Sequence, residues 1–207
     1  MVRMEQERGA VRPGPARIGV LALQGDFAAH RRALAEAGVE AIEVRGPSAL
    51  ADLDGLVIPG GESTALLRLM RPLDMEDAIR AFHRSGGALF GTCAGAILLA
   101  REVRSPEQPG LGLIDITVER NAYGRQIDSF VSRGALRLNG TERPAELVFI
   151  RAPRIRETGP AVEILGRHEG EPVLVRDGRV LVATFHPEMS AGHDVHAFFA
   201  EMAAARA

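Results

Sequence analysis

Apolar residues recur in two alternating rhythms through the first half of this chain and in a single rhythm through the second. Ile18 to Leu23 is a short apolar run stopped by Gln24-Gly25-Asp26, the pattern of a strand buried on both faces. From Phe27 to Ala37 the apolar positions return at helical spacing, and Gly38 ends them. Glu40 to Val44 and Gly55 to Ile58 read as the second and third strands. Leu73 to Arg84 reads as a helix closed by Gly86-Gly87, and Ala88 to Phe90 as a fourth strand before a helix at Ala96 to Ala100. Such alternation predicts a parallel sheet covered by helices on both faces. The second half carries strand patterns at 114–118, 127–131, 146–150, 162–166, 173–176 and 180–183 with no helix between them. Asp177-Gly178 marks a two-residue hairpin between the last two, and a closing helix runs from about His193 to Ala205. The predicted fold class is α/β: one three-layer domain over residues 18–207, its mostly parallel central sheet carrying an antiparallel extension. Residues 1–17, broken by Gly and Pro, read as a disordered or flexible extension.

Composition narrows the chemistry. A length of 207 residues suits one domain, and a net charge of −2 gives no basic footprint for nucleic acid. All 25 basic residues are arginine, which excludes a lysine Schiff base, a lysine general base and a Walker-type phosphate loop. No apolar run reaches the roughly 18 residues of a membrane span, and the first residues lack the apolar stretch of a secretory signal. Cys93 is the only cysteine, so neither an intramolecular disulfide nor a multi-cysteine zinc site can form. A cytoplasmic location is expected, with no cofactor and no metal.

That lone cysteine stands in Gly91-Thr-Cys93-Ala-Gly95, between an apolar strand and a helix. This is the layout of a nucleophile elbow with sulfur in place of oxygen. A sharp turn exposes the nucleophile, small flanking residues avoid clashes, and the N–H groups opening a helix favour a thiolate. The Ala94 N–H would face an oxyanion. On its own, an inert thiol in a tight turn would read much the same way. A partner base separates the two, and Phe185-His186-Pro187-Glu188 supplies one. In an extended segment His186 and Glu188 point to one side, so the carboxylate can orient the imidazole that serves the thiol. A rival reading takes His186, Glu188, His193 and His196 as metal ligands, but it leaves the elbow without a purpose. His193 otherwise helps begin the last helix, and His196 reads as a surface or packing residue.

A second glycine turn, Pro59-Gly60-Gly61-Glu62-Ser63-Thr64, also joins strand to helix, with Ser63 as a candidate N-cap. The Gly61 N–H could complete an oxyanion hole with Ala94. Together the Gly-Gly-Glu-Ser loop, the Gly-Thr-Cys-Ala-Gly elbow and the His-Pro-Glu end resemble class I glutamine amidotransferases. Leu21 to Asp26, Glu119 to Gln126 with Ser129-Phe130, and Phe149 to Pro153 narrow the resemblance to the glutaminase subunits of pyridoxal 5′-phosphate synthases.

The resemblance implies a glutaminase in which Cys93 attacks the side-chain amide of L-glutamine, His186 protonates the departing ammonia and Glu188 holds His186. It implies glutamine binding by Gly61, Glu62, Ser63, Arg120, Ile150 and Arg151. An arginine fork suits an α-carboxylate, although either arginine alone would read as a solvated surface residue. It also implies a synthase subunit as ammonia acceptor, with the Gln24-Gly25 and Gly60-Gly61 loops responding to docking. His30, on the first helix, reads as a surface residue facing that partner or serving no role. Another ammonia acceptor, a non-catalytic binding subunit and a thiol hydrolase of esters or peptides are the competing functions.

Overall fold

The computed structural model describes residues 15–120 and 129–205. The extension at residues 1–14, and residues 121–128 of the segment that carried part of the resemblance, lie outside the described residues. Arg17 is already tied to the domain, its carbonyl accepting the Asp54 N–H at 2.8 Å.

Five strands form a parallel half-sheet in the order β2 (Ala41–Val44), β1 (Ile18–Leu21), β3 (Gly55–Ile58), β4 (Ala88–Thr92) and β12 (Val180–Ala183). The same sheet continues antiparallel through β11 (Glu171–Asp177), β10 (Glu163–His168), β7 (Phe130–Leu138) and β8 (Thr141–Phe149). The predicted extension is therefore half of one nine-stranded sheet. Alternation along each parallel strand explains the layering. Leu21, Leu56, Ile58, Leu89, Val180 and Val182 enter a core with α2 (Ser63–Met70), α3 (Met75–Arg84) and α4 (Ala94–Leu99). Ile18, Val20, Val57, Phe90, Leu181 and Ala183 enter the opposite core under α1 (Phe27–Glu36) and α5 (Asp194–Ala204). Side chains pointing both ways into apolar layers are what the unbroken apolar runs require.

Several boundaries differ from the sequence pattern. Leu73 belongs to a 3-10 turn, and Asp74 at φ 51° breaks the chain before α3 begins at Met75. Ala100 leaves the elbow helix to start β5 (Ala100–Arg104), which pairs with β6 (Ile114–Glu119) and, through it, β9 (Arg154–Thr158) in a separate three-stranded sheet. In the last hairpin Asp177 pairs with Val180, so the turn residues are Gly178-Arg179, one step later than expected. Among the described residues no helix is long and apolar enough to cross a membrane.

Candidate active site

Register places the site. Thr92 of β4 lies beside Ala183 of the parallel β12, and Ile58 of β3 beside Gly91. The chain thus leaves three neighbouring strands at one edge, at Cys93, at Thr184 to His186 and at Pro59 to Glu62. Ligands of open α/β sheets bind outside such carboxyl ends.

Cys93 is the elbow that the sequence predicts. Its φ of 47° and ψ of −101° fall outside the ordinary regions for a residue with a side chain, and such backbone persists only where the surroundings enforce it. Its N–H donates to the Ala183 carbonyl at 3.0 Å, and its buried sulfur lies 3.9 Å from the Ile150 carbonyl oxygen. A Cβ at position 95 would come within 2.0 Å of the Ile58 carbonyl oxygen, so only glycine lets α4 pack so close to β3. Ala94 opens α4, where helix geometry supplies no carbonyl for its N–H.

His186 and Glu188 meet as expected, by a different route. Pro187–Met189 is a 3-10 turn, not an extended segment, because proline's fixed φ suits the first turn of a helix as well as a strand. His186 Nδ1 and Glu188 Oε1 are 2.7 Å apart, both residues buried. Burial alone would lower the imidazole's affinity for its proton. Hydrogen bonding and charge interaction with Cys93 and Glu188 outweigh burial and raise the His186 pKa to about 10. Nδ1 is engaged by Glu188, so Nε2 is the atom left for the thiol; it has no well-aligned hydrogen bond of its own.

The glycine loop closes over this pair. A Cβ on Gly60 would lie 2.6 Å from His186 Cε1 and 3.4 Å from Cys93 Cβ, so this glycine, not Gly61, touches both groups. Gly61 sits against the Gln24 side chain, whose Oε1 accepts the Glu62 N–H at 3.2 Å. The two loops expected to respond together are in direct contact. Glu62, not Ser63, is the N-cap of α2, its carboxylate accepting from the N–H groups of Thr64 at 3.0 Å and Ala65 at 2.7 Å. Partial desolvation raises its pKa, and the two N–H bonds with Arg120 lower it further than that, for a net depression. Ser63 is the first helical residue and donates to Gln108 Oε1 at 2.9 Å. Gln108 gave no sequence signal, being one amide in a Pro/Gly loop.

Arg120 is not a free surface residue. Its Nη2 lies 3.3 Å from Glu62 Oε1 and 3.2 Å from Thr64 Oγ1. Ile150 offers its carbonyl to Cys93, and the following Arg151 is exposed with a left-handed backbone at φ 45°. Of three other histidines, His30 departs from its sequence reading, whereas His196 takes the packing alternative of its own. His30 is fully buried, not on the surface of α1, and His196 is buried beside it with ring centroids 5.2 Å apart. His193 precedes α5, where it pairs with Glu36 and caps nothing through its side chain. The rival metal set therefore does not assemble. Ligand atoms of Asp26, His186 and Glu188 do lie within 4.8 Å of one another, but a cation there would compete with the His186–Glu188 bond.

Comparisons with known proteins show the family and the fold. A family model described as the SNO glutamine amidotransferase family matches residues 20–205. The pyridoxal 5′-phosphate synthase subunit PdxT of Koribacter versatilis is 52% identical over 186 residues, covering 90% of this chain and 95% of that protein. The PdxT of Deinococcus radiodurans is 49% identical over 195 residues, covering 92% and 98%. A crystal structure titled as a glutamine amidotransferase superposes with a TM-score of 0.83 at 49% identity, covering 90% and 98%. The PurLQS structure from Thermotoga maritima, at 17% identity and a TM-score of 0.72 over 91% and 98%, shares the fold alone.

Proposed function

We propose a mechanism for a chain that belongs to the SNO glutamine amidotransferase family and acts as the glutaminase subunit of a pyridoxal 5′-phosphate synthase. The Cys93 sulfur attacks the side-chain amide carbon of L-glutamine, and the N–H groups of Ala94 and Gly61 receive the oxyanion. The carbon–nitrogen bond breaks as His186 gives its proton to the leaving nitrogen, which departs as ammonia. Water then attacks the thioester, His186 takes its proton, and glutamate leaves as the thiol is restored. Glu188 holds the imidazole with Nε2 toward sulfur.

The charged pair at the loop suits the other end of the substrate. Arg120 and Arg151 offer guanidinium groups to the α-carboxylate, and the ionised Glu62 offers an acceptor to the α-ammonium. Gly61, Ser63 and Ile150 complete the lining. Ammonia passes to a synthase subunit, which supplies the acceptor chemistry and the lysines absent from this chain. A cytoplasmic location fits a chain whose one reactive thiol must stay reduced.

The observation that carries this reading is the adjacency of β4 and β12, which delivers Cys93 and His186 to one point from opposite ends of the elbow-to-tail segment. The test is Cys93→Ala assayed with the synthase subunit. Glutamine-dependent ammonia release should fall by roughly 10⁴-fold or more, while synthesis from free ammonium continues. Persistent glutamine turnover would overturn the nucleophile assignment.

A further inference from the structure

We propose that His30 and His196 form a buried extension of the triad, in which His30 Nε2–H donates to the second oxygen of Glu188 and so fixes the carboxylate that orients His186. The proposal rests on the triad assignment above. His30 comes from the interior face of α1, with Ala29, Ala33 and Leu34, and His196 from the interior face of α5. Both are completely buried. His30 Nδ1 is 3.0 Å from His196 Nε2, and His30 Nε2 is 3.0 Å from Thr92 Oγ1 and 3.4 Å from Glu188 Oε2. A continuous line of polar side chains therefore runs from Cys93 through His186, Glu188 and His30 to His196.

Accounting for donors fixes the direction of every bond in that line. Glu188 Oε1 is taken by His186, and Oε2 makes no well-formed hydrogen bond among the described residues, with His30 Nε2 3.4 Å away. Were the His30 proton on Nδ1, its Nε2 would accept from the Thr92 hydroxyl, and Glu188 Oε2 beside it would have no donor. His196 would then have to carry its proton on Nδ1, an atom with no hydrogen-bond partner among the described residues. A buried N–H left unpaired and a buried carboxylate oxygen left without a donor both cost free energy. With the proton of each ring on Nε2, His196 donates to His30, His30 donates to Glu188 with Thr92 as a second acceptor, and only one imidazole lone pair goes unused. That arrangement needs both rings neutral. Burial above all, with the cost of placing a second positive charge beside the His196 and His186 imidazoles, holds the His30 pKa well below its ordinary value. Burial, with His193 nearby, brings that of His196 down to about 3. His30 and His196 touch neither sulfur nor substrate and are positioning residues.

Two measurements test this on the full chain. Nitrogen-15 NMR of labelled histidine in the unaltered protein should show His30 and His196 as neutral Nε2–H tautomers at neutral pH. A proton on Nδ1 of His30 would overturn the proposal without any substitution. In the complex with the synthase subunit, His30→Met should lower kcat for glutamine hydrolysis by about 10–100-fold with KM unchanged, the range for losing a partner of a catalytic group. His30→Gln, whose amide can place an N–H near the lost Nε2, should recover most of that rate. Alkylation by iodoacetamide reads Cys93 alone, as the only cysteine, and its rate should follow the same order. Equal losses in Met and Gln variants, matching their losses in melting temperature, would make His30 a packing residue and overturn the proposal. Should His30→Met fail to fold, the tautomers and the Gln variant still decide. Cys93→Ala run alongside separates the cases, since activity surviving there would sink the triad and not merely its extension.

Discussion

The two ends of the proposed substrate site are built by opposite means. At the reacting end, Cys93, His186, Glu188, His30 and Thr92 are all buried, and their positions follow from the packing of β4, β12 and α1. At the recognition end, Glu62 is held by two N–H groups of one helix terminus, and its pairing with Arg120 spans the exposed mouth of the loop. The first end has its His186–Glu188 bond made before substrate arrives, and preorganised electrostatics of this kind lower a barrier most. In the mechanism proposed above, the second exchanges one charged partner for another when glutamine binds, and the strength of its Glu62–Arg120 pair depends on screening by solvent. Changes at the buried end should therefore appear in kcat, and changes at the mouth in KM.

The sharpest way to break the buried end is Gly60→Ala. The new methyl would begin 2.6 Å from His186 Cε1, so either the imidazole or the loop must move. A displacement of about 1 Å at a reacting group costs on the order of 100-fold. We expect kcat to drop by about that factor with a smaller change in KM, measured as ammonia release with the synthase subunit. A variant of wild-type kcat would show that the loop, not the ring, gives way.

The contrast also separates what the chain's pattern reveals from what it hides. The strands at Gly55–Ile58 and Val180–Ala183 are legible to the residue because both faces are buried and their apolar runs have sharp ends. The elbow and the His186–Glu188 pair are legible because strain and proton transfer restrict the residue types allowed there. The sheet of β5, β6 and β9 was half hidden: Arg-Glu-Val-Arg and Arg-Ile-Arg-Glu strands bury one face only and otherwise look like solvated loop. The long β7–β8 hairpin was undercounted for the same reason, although Asn139-Gly140, both at positive φ, was a readable turn. His30 could have been placed inside by periodicity, since it falls three residues after Phe27 and four before Leu34 on the apolar face of α1. That it meets Glu188 could not, because the contact joins positions 158 residues apart (188 minus 30) and depends on the sheet register.

At the mouth, Arg120→Ala removes one cation from the recognition end and leaves the buried network untouched. A hydrogen bond to a charged group is worth about 1.5–3 kcal/mol, so KM for glutamine should rise by about 10–100-fold. The value of kcat should stay within about twofold. Arg120 also pairs with Glu62, so the free site of the variant loses a competing contact and the rise should fall in the lower part of that range. Steady-state kinetics at two salt concentrations sharpen the comparison, because the wild-type KM should climb with salt and that of the variant should climb less. A loss confined to kcat would move Arg120 to the reacting end.

The smallest change comes from titrating the buried end without altering it. The His186 pKa, ordinarily 6.5, is raised in the folded protein to about 10 by Cys93 and Glu188 against the opposing effect of burial. A group whose affinity for its proton rises on folding contributes stability that is complete below the ordinary value and disappears as pH climbs through the folded one. The melting temperature should therefore lose this contribution between about pH 6.5 and 10, and His186→Asn should show no such slope. Catalysis behaves differently across the same window. His186 keeps its proton up to about pH 10 in the free enzyme, so kcat/KM for glutamine should change less than about twofold between pH 7 and 9, then fall about tenfold per unit above 10. A decline in kcat/KM already complete by pH 8 would mean that the imidazole does not hold its proton against the thiol. The reacting end would then owe its charge arrangement to substrate binding, as the mouth does.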